Sequence, residues 1–192
     1  MPCSGGSASA SDEALLTRVA EGDEEACRTL LGRHLGPIVA FAARLLGDST
    51  EAEDVAQETF LALWRQAARW RSGEARLSTW LHTVARNAAL DRLRRRRSVP
   101  LDEVPEPPDP GPGPAQTIQN QDVGRVVEAA LLALPERQRT ALVLCHYQEL
   151  TNIEAAAVME LSVDALESLL ARGRRTLRQR LADSMPELLG EF

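Results

Sequence analysis

Apolar residues recur at the spacing of an α-helix along most of this chain, with polar residues between them. The pattern predicts eight helices, which cover residues 12–20, 24–46, 50–70, 78–96, 121–133, 135–147, 151–159 and 162–181. Gly36-Pro37 falls inside the second helix and predicts a kink or a break, because proline lacks the backbone N–H that continues a helix. No stretch alternates long enough with the period of two that defines a strand, so we predict an all-α protein.

Short polar motifs predict where several of these helices begin. In a capping box, a Thr side chain bonds the backbone N–H three residues further on, and a Glu at that residue bonds back to the cap. Single serines can also cap a helix. The motifs found at predicted helix starts are Thr50 with Glu53, Thr151 with Glu154, Ser78, and Ser162.

A proline-rich acidic stretch divides the predicted helices into two groups. Residues 98–113 contain six prolines and four acidic residues but no arginine, and they show almost no apolar periodicity. Such a stretch buries too little apolar surface to offset the entropy of ordering it, so we predict an extended linker over 98–120. The predicted architecture is therefore two small helical domains, over 11–97 and 121–184, joined by a Pro-rich acidic linker.

The charge of the chain is distributed unevenly. The net charge is −6, yet residues 86–97 hold six arginines and one aspartate, and residues 172–181 hold five arginines and no acid. The field that a phosphate backbone meets depends on such local clusters and not on the total charge. We therefore predict two sites of nucleic-acid contact, one near the end of each domain.

The first arginine cluster ends a predicted helix that also carries an apolar face. Trp70 and Trp80 flank the turn before this helix, where an indole can stack on an unpaired base. The alternatives are core packing of each Trp and arginines that only complement the helix dipole. The candidate nucleic-acid residues of this segment are Trp80, Arg86, Asn87, Arg92, Arg94, Arg95 and Arg96.

The second cluster lies in the second helix of a predicted helix-turn-helix. This motif ends the second domain. The short helix over 151–159, Glu160-Leu161 and the helix from Ser162 have the lengths of a motif that places its second helix in the major groove. Early residues of that helix would face base edges, and the arginines after them would contact phosphates. The alternative is an amphipathic helix whose arginines only face water. The candidate residues are Ser162, Val163, Asp164, Ala165, Glu167, Ser168, Arg172 and Arg175.

The helix predicted from Thr50 carries an acidic face beside two aromatic residues that lie four positions apart. This combination predicts a docking surface for a protein partner. A capped surface helix with an apolar core stripe fits the same pattern and is the alternative. The candidate docking residues are Asp54, Gln57, Glu58, Phe60, Leu61 and Trp64.

Composition excludes several other classes of protein. The cysteines Cys3, Cys27 and Cys145 are odd in number and sparse, which predicts reduced thiols and no disulfide framework. No apolar run approaches the ~20 residues of a membrane span, and residues 1–10 lack the features of a secretory signal. We therefore expect a cytoplasmic protein without membrane insertion. We find no nucleophile–base pair, metal-ligand spacing or phosphate loop, so we expect neither an enzyme nor a bound metal or cofactor.

Three segments together resemble bacterial sigma factors of the extracytoplasmic-function (ECF) group, in the sigma-70 family. Residues 52–64 (AEDVAQETFLALW) resemble the core-polymerase-binding helix of the group, and residues 78–94 (STWLHTVARNAALDRLR) resemble its promoter-melting helix. Residues 132–139 (LALPERQR) resemble the opening of its second domain. The order of the segments around a proline-rich linker makes the likeness specific, and it covers nearly the whole chain after the first ten residues.

The resemblance implies that this chain is a promoter-specificity subunit of RNA polymerase. Its first domain would bind core RNA polymerase through residues 52–64 and would open the minus-ten element of promoter DNA with residues 78–94. Its second domain would contact the minus-thirty-five element as a duplex, and an anti-sigma factor would control the protein. Two alternatives stay open: a helix-turn-helix regulator that acts without polymerase and needs only residues 121–181, and a protein that sequesters a regulator.

The last helix departs from the usual pattern of the group. Glu167 and Leu169 stand where basic residues are common, and Glu160 stands where a turn glycine is common. A carboxylate at residue 167 can accept from a cytosine amino group or can face water. The sequence therefore leaves open which bases this helix contacts and what geometry the turn has.

Overall fold

The computed structural model describes residues 10–71, 76–98 and 118–189. Within these ranges the chain forms α1 (Asp12–Ala20), α2 (Glu24–Leu46), α3 (Ser49–Ala67), α4 (Leu77–Ser98), α5 (Ile118–Leu132), α6 (Glu136–Leu142), a π-helical turn (Val143–Tyr147), α7 (Asn152–Met159) and α8 (Val163–Leu189). No strand occurs in the described residues, which confirms the predicted all-α class. Most of the predicted linker over 98–120 lies outside the described residues.

Helices α1 to α4 form the first domain around an apolar core, with α2 packed against the other three. The buried side chains of α2 include Leu30, Ile38, Phe41 and Leu45, which recur at helical spacing. Full burial of one such side chain stabilises the fold by about 1.5–3 kcal/mol. α2 is therefore the central support that holds α3 and α4 in position.

The predicted break of α2 at Gly36-Pro37 is wrong, because the helix runs unbroken from Glu24 to Leu46. Pro37 is exposed, and it forgoes only the hydrogen bond that its position would donate to the carbonyl of Arg33. Ile38 and Phe41 lie just beyond it and are buried almost completely. Their burial against three neighbouring helices outweighs the loss of one backbone hydrogen bond.

Two of the predicted helix caps are not the ones that the structure shows. α3 is capped by Asp48, whose Oδ1 accepts from the Glu51 amide at 3.0 Å, so Thr50 lies inside the helix. Asp48 has an extended backbone (φ −142°, ψ 119°), and aspartate is at least as good a cap as threonine. α4 begins at Leu77, which places Ser78 inside that helix and not at its cap.

Helices α5 to α8 and the π-helical turn form the second domain, in which α8 packs against α5, α6 and α7. Leu142 and Leu166 are buried between these helices. Gly173 allows the close approach of α6, because a Cβ atom there would lie 3.0 Å from the Leu142 side chain. Arg139 is also buried, and its Nη1 donates to the Leu132 carbonyl at 2.7 Å, which satisfies an acceptor at the end of α5.

The two domains pack against each other. α7 lies along α4, while α5 and the π-helical turn lie against α2. Nη1 of Arg76 is 2.9 Å from Oε1 of Glu154, and the guanidinium of Arg44 lies 4.4 Å from the centroid of the Tyr147 ring. Arg76 and Tyr147 are exposed, and polar contacts at exposed sites are worth about 1 kcal/mol or less. These contacts therefore contribute little to holding the domains together.

His82 lies buried in α4, edge to face with Phe41, at a ring-centroid distance of 5.2 Å. Its Nδ1 is 2.7 Å from the Ser78 carbonyl oxygen, so Nδ1 carries the proton and donates. Burial lowers the pKa of His82 from its ordinary value of 6.5, and the charge of His34 adds to this effect. The hydrogen bond to the Ser78 carbonyl and the nearby Gln148 side chain oppose it. The folded protein therefore protonates His82 at a lower pH than the unfolded chain does.

We expect His82 to make the protein less stable as the pH falls below about 6.5. The unfolded chain takes up the proton first, so the free energy of unfolding falls until the pH has passed the folded-state pKa. Urea unfolding of the wild type and of His82→Gln at about pH 7.5 and about pH 5.5 measures this loss. The loss should be smaller in the variant, and equal losses in the two proteins would show that His82 does not contribute.

Candidate nucleic-acid interface

The arginines at the end of α4 differ in what holds them. Arg96 donates to the carboxylates of Asp48 and Glu51, each at 3.2 Å, and to the Leu46 carbonyl at 3.0 Å. It therefore ties the end of α4 to the corner between α2 and α3. Arg95 is exposed and points about 100° away from Arg96 around the helix, as successive residues do. Arg95 thus faces away from that corner.

Arg92 and Arg94 also lie near acidic side chains. Nη1 of Arg92 is 3.1 Å from Oε2 of Glu58 on α3, and it donates to the Ala88 carbonyl at 3.2 Å. Arg94 pairs with Asp91, three residues earlier, at 3.1 Å. Surface ion pairs of this kind are worth about 1 kcal/mol or less, so these guanidiniums can exchange a carboxylate for a phosphate.

Arg86 lies at the contact between the domains. Its Nη1 is 3.5 Å from the carbonyl oxygen of Val158 on α7, and it donates to the side-chain oxygen of Asn87 at 3.3 Å. Burial lowers the pKa of Arg86, and the nearby charges of Glu160 and Glu136 oppose that change. Asn87 is exposed. The structure therefore places the predicted contact residue Arg86 against the second domain.

Trp80 packs against Trp70. The ring centroids are 5.8 Å apart, the planes meet at 86°, and both side chains are partly buried against the core. Edge-to-face pairs of this kind add about 0.5–1.5 kcal/mol beyond the area that they bury. This geometry is the core packing that the sequence left as an alternative. Contact of Trp80 with an unpaired base stays a prediction.

On α3, the predicted acidic docking face is exposed to solvent, whereas the adjoining aromatic residue Phe60 is buried. Phe60 is 5% exposed and packs edge to face with Trp64, at a ring-centroid distance of 5.5 Å. Phe60 therefore supports the helix from inside, and its side chain does not reach a partner in this conformation. Trp64 is partly buried beside it. The exposed residues of the face are Asp54, Gln57, Glu58 and Leu61, of which Leu61 has 45% of its surface exposed.

α7, a turn of three residues and α8 form the predicted helix-turn-helix. The capping box of Thr151 and Glu154 is confirmed, with the Thr151 amide 2.9 Å from Glu154 Oε2 and the Glu154 amide 3.3 Å from Thr151 Oγ1. The hydrogen bonds from Thr151 lower the pKa of Glu154. The predicted cap at Ser162 is also confirmed, because its Oγ accepts from the Ala165 amide at 3.2 Å.

The side chains of α8 divide between core and solvent. Leu166, Leu169 and Leu170 are buried, so Leu169 serves the core at a position that is commonly basic in the ECF group. Val163 and Ala165 are partly buried. The predicted contact residues that are exposed are Ser162, Asp164, Glu167, Ser168, Arg172 and Arg175. The exposed surface of α8 therefore begins anionic and becomes cationic from Arg172 onward.

A hydrogen-bonded chain between α7 and α8 was missed by the sequence reasoning. Asn152 Nδ2 donates to Glu167 Oε1 at 3.2 Å, and the Cys145 thiol donates to Asn152 Oδ1 at a sulfur–oxygen distance of 3.9 Å. These residues lie on three different helical segments. No periodicity in the sequence indicates the contact, because the turn at Glu160 brings the segments together.

Glu160 ends α7 in the left-handed conformation, with φ 55° and ψ 47°. The turn therefore has the geometry that a glycine would favour, even though the residue is glutamate. A non-glycine residue in this conformation costs roughly 1–2 kcal/mol.

Replacement of Glu160 by glycine is expected to stabilise the protein by about 0.5–1 kcal/mol, since the relief of backbone strain exceeds the added entropy of the unfolded chain. Glu160→Ala is the matched control, because it removes the same carboxylate but keeps a Cβ atom. The free energies of unfolding in urea should rank glycine above both glutamate and alanine. Equal stability of the glycine and alanine variants would contradict the strain argument.

The described residues offer little for metal or thiol chemistry. Within them, no group of three or more His, Cys, Asp or Glu could hold a metal ion. Cys27 and Cys145 are free thiols, and burial raises the pKa of each, which keeps both in the less reactive protonated form. In the same part of the chain, no helix combines the length and the apolar character needed to cross a membrane.

Comparison with known proteins matches both domains to one family. Residues 30–99 match the family model Sigma-70 region 2, and residues 124–177 match Sigma-70, region 4. The ECF RNA polymerase sigma factor SigE of Mycolicibacterium smegmatis is 33% identical to this chain, over 92% of the chain and 72% of SigE. The ECF RNA polymerase sigma factor SigW of Bacillus subtilis is 26% identical, over 88% of the chain and 95% of SigW.

Solved structures share the fold. CnrH, in its complex with the cytosolic domain of CnrY, superimposes with a TM-score of 0.67 and 28% identity, over 90% of this chain and 97% of CnrH. The sigma factor RpoE of Bartonella quintana, in its complex with the anti-sigma factor NepR, superimposes with a TM-score of 0.63 and 24% identity, over 81% of this chain and 96% of RpoE. The first matched region contains the arginine cluster of α4, and the second contains the first three of the five arginines of the α8 cluster.

Proposed function

The chain belongs to the ECF group of sigma-70 factors, and we propose that its α3 face, its α4 arginines and its α8 make the three contacts by which it directs RNA polymerase to a promoter. As an ECF sigma factor, it acts in transcription initiation by binding. The observation that carries the assignment of surfaces is the presence of two separate arginine clusters, one in each domain. The cluster on α4, a helix that also carries an aromatic side chain, suits single-stranded DNA. The cluster on α8 belongs to a helix-turn-helix and suits duplex DNA.

The proposed surface for core RNA polymerase is the open face of α3. Asp54 and Glu58 supply negative charge, and Leu61 supplies an exposed apolar contact at its centre. Interfaces commonly combine an apolar centre with charged groups that fix the partner's orientation. A cationic helix of the polymerase with an apolar stripe would complement this face. Phe60 and Trp64 support it from below by their mutual packing.

The proposed surface for opened promoter DNA is the end of α4. Extrusion of a base costs a few kcal/mol, and stacking on an aromatic side chain returns about 1–3 kcal/mol per base. Phosphate contacts from Arg92, Arg94 and Arg95 would supply the rest, since the ion pairs of Arg92 and Arg94 are weak and Arg95 is exposed. Three acceptors hold Arg96 within the first domain, so its contact with DNA stays a prediction.

We infer that α7 has to separate from α4 before promoter DNA reaches the whole α4 surface. α7 lies along α4, and Val158 on α7 accepts from Arg86, one of the predicted contact residues. Arg76 and Glu154 pair at the other end of this contact. These polar contacts are weak, so they add little to the free energy that polymerase would have to supply to part the domains.

The proposed surface for duplex promoter DNA is α8. The helix is capped at Ser162 and exposes Asp164, Glu167 and Ser168 in its first turns, where a recognition helix faces base edges. Arg172 and Arg175 follow within two to three turns and would contact the flanking phosphates. Phosphate contacts position such a helix, while the side chains at its beginning determine the sequence that it selects.

We propose that an anti-sigma factor controls this chain. CnrH, which is 28% identical over 90% of the chain, was solved with the cytosolic domain of CnrY bound to it. A partner that holds α7 on α4 would keep the α4 surface covered. The protein would then act in the cytoplasm, where polymerase and promoter are found, with no insertion into the membrane.

Run-off transcription tests the proposed function. Purified chain added to core RNA polymerase should yield discrete transcripts from a genomic promoter library, and core polymerase alone should not. A helix-turn-helix regulator that needs no polymerase is the alternative, and it leaves the Sigma-70 region 2 match over residues 30–99 unexplained. Silence across the library, together with sequence-specific binding of duplex DNA by the chain alone at physiological salt, would favour that alternative.

A further inference from the structure

The beginning of α8 is anionic although the proposed function brings it close to DNA. Residues 163–168 contain Asp164 and Glu167 and no basic residue, and the arginines of this helix start at Arg172. A carboxylate near the phosphates of a duplex is repelled unless it meets a hydrogen-bond donor. In the major groove, such donors belong to the amino groups of the bases.

Glu167 is not a freely rotating surface side chain. Its Oε1 accepts from Asn152 Nδ2 at 3.2 Å. The Glu167 carboxylate itself determines the orientation of the Asn152 amide, because a carboxylate only accepts hydrogen bonds; the Asn152 Oδ1 then faces the Cys145 thiol, a weak donor, at 3.9 Å. Asn152 therefore presents its NH₂ group to Glu167. With one carboxylate oxygen held by the first helix of the motif, the other, Oε2, is available to a donor outside the protein.

Base chemistry selects one partner for this oxygen. A carboxylate only accepts hydrogen bonds, and in the major groove guanine presents two acceptors while thymine presents an acceptor and a methyl group. Adenine offers an amino group, but its N7 acceptor lies next to it and repels a carboxylate. Cytosine presents its N4 amino group as a donor with no neighbouring acceptor of its own.

We propose that Glu167 selects cytosine at one position of the duplex promoter element and that Asn152 is its positioning residue. This inference rests on the proposed function, because it requires α8 to lie in the major groove. It assigns base selectivity to the position at which the chain carries a carboxylate in place of a basic residue. The competing account is that the Asn152–Glu167 hydrogen bond only joins α7 to α8.

The test uses holoenzyme made from the full-length chain and a promoter library that is randomised in the upstream element. Transcripts from the wild type, Glu167→Gln and Glu167→Ala are sequenced, and base frequencies are compared at every position. The wild type should enrich cytosine at one position by roughly tenfold, and alanine should remove that preference. Glutamine should move the preference to adenine, because its amide can bond both N6 and N7.

Two further variants separate base selection from structure and from charge. Asn152→Ala keeps the carboxylate but removes its support, so the cytosine preference should weaken at the same position without moving. Glu25→Gln removes one negative charge from exposed surface on α2 and should leave all base frequencies unchanged.

The outcomes distinguish this inference from the proposed function. If the wild-type holoenzyme selects no promoter, the proposed function fails, and the inference fails with it. If the wild type selects promoters and the Glu167 variants keep identical base preferences at every position, the inference alone is overturned. Glu167 would then be a structural link between the two helices.

Discussion

Asp54→Arg is expected to weaken binding to core RNA polymerase by about 30-fold or more. Asp54 is exposed on the same face of α3 as Glu58 and Leu61, so the substitution places a cation where the proposed partner is cationic. Loss of one member of a charge pair buried in an interface costs about 2–5 kcal/mol, and 1.4 kcal/mol corresponds to tenfold in affinity. The affinity of a fluorescently labelled chain for core polymerase, measured by anisotropy, checks this expectation.

The matched control is Glu25→Arg, which makes the same change of charge on exposed surface of α2. It should alter the affinity for core polymerase by no more than about threefold, as a distant surface charge does. Thermal unfolding of both variants shows whether the fold is kept. Undiminished affinity of a folded Asp54→Arg variant would show that the α3 face is only a solvated surface.

Arg95→Ala is expected to reduce open-complex formation by about tenfold at physiological salt. A hydrogen bond to a charged group is worth about 1.5–3 kcal/mol, so the loss of one phosphate contact is sufficient for this effect. The slope of the logarithm of the binding constant against the logarithm of salt concentration should also fall by about 0.7, as for one contact to single-stranded DNA. Fluorescence of 2-aminopurine placed in the promoter, titrated over a range of salt, measures both quantities.

Arg96→Ala provides the comparison for Arg95→Ala, because both remove one guanidinium from neighbouring positions. Arg96 makes three contacts within the first domain, to Asp48, Glu51 and the Leu46 carbonyl. Its loss should lower the free energy of unfolding by about 1–2 kcal/mol, whereas the loss of the exposed Arg95 should lower it by less. An unaltered salt slope in Arg95→Ala would remove that residue from the path of the DNA.

Local signals in the sequence predicted most of the helices because helix formation depends on nearby residues. The apolar period and the caps at Thr151 and Ser162 agree with the structure. The predictions failed where a tertiary effect decided the outcome. Pro37 does not break α2, because the helix buries Ile38 and Phe41 against its neighbours.

The candidate surfaces were predicted in part. Charge clusters and the exposed face of α3 follow from residue types and helical spacing, so sequence alone was sufficient for them. The burial of Phe60 and the contact of Arg86 with Val158 depend on how helices pack, which spacing does not determine. The bond between Asn152 and Glu167 needs the left-handed turn at Glu160, which the likeness to the ECF group indicates by its usual glycine but which a glutamate does not itself signal.

The packing of the two domains against each other implies an order of events for the proposed function. In the free chain, α7 covers part of α4, so only part of the proposed DNA surface is accessible. Polymerase would hold the domains at separate places and thereby uncover that surface. A partner that binds the closed form more tightly than the open form would inhibit by shifting the equilibrium toward the closed form. The size of this shift is limited by the difference between the partner's affinities for the two forms.

Permanganate footprinting of a selected promoter is the most direct test of the central claim, that the α4 end holds opened DNA while α8 holds duplex DNA. Thymines near the start site should become reactive only when the chain and core polymerase are both present. They should lose reactivity with Arg95→Ala, whereas the upstream element should stay double-stranded and protected. Protection of duplex DNA by the chain without polymerase, with no thymine becoming reactive when polymerase is added, would contradict the account.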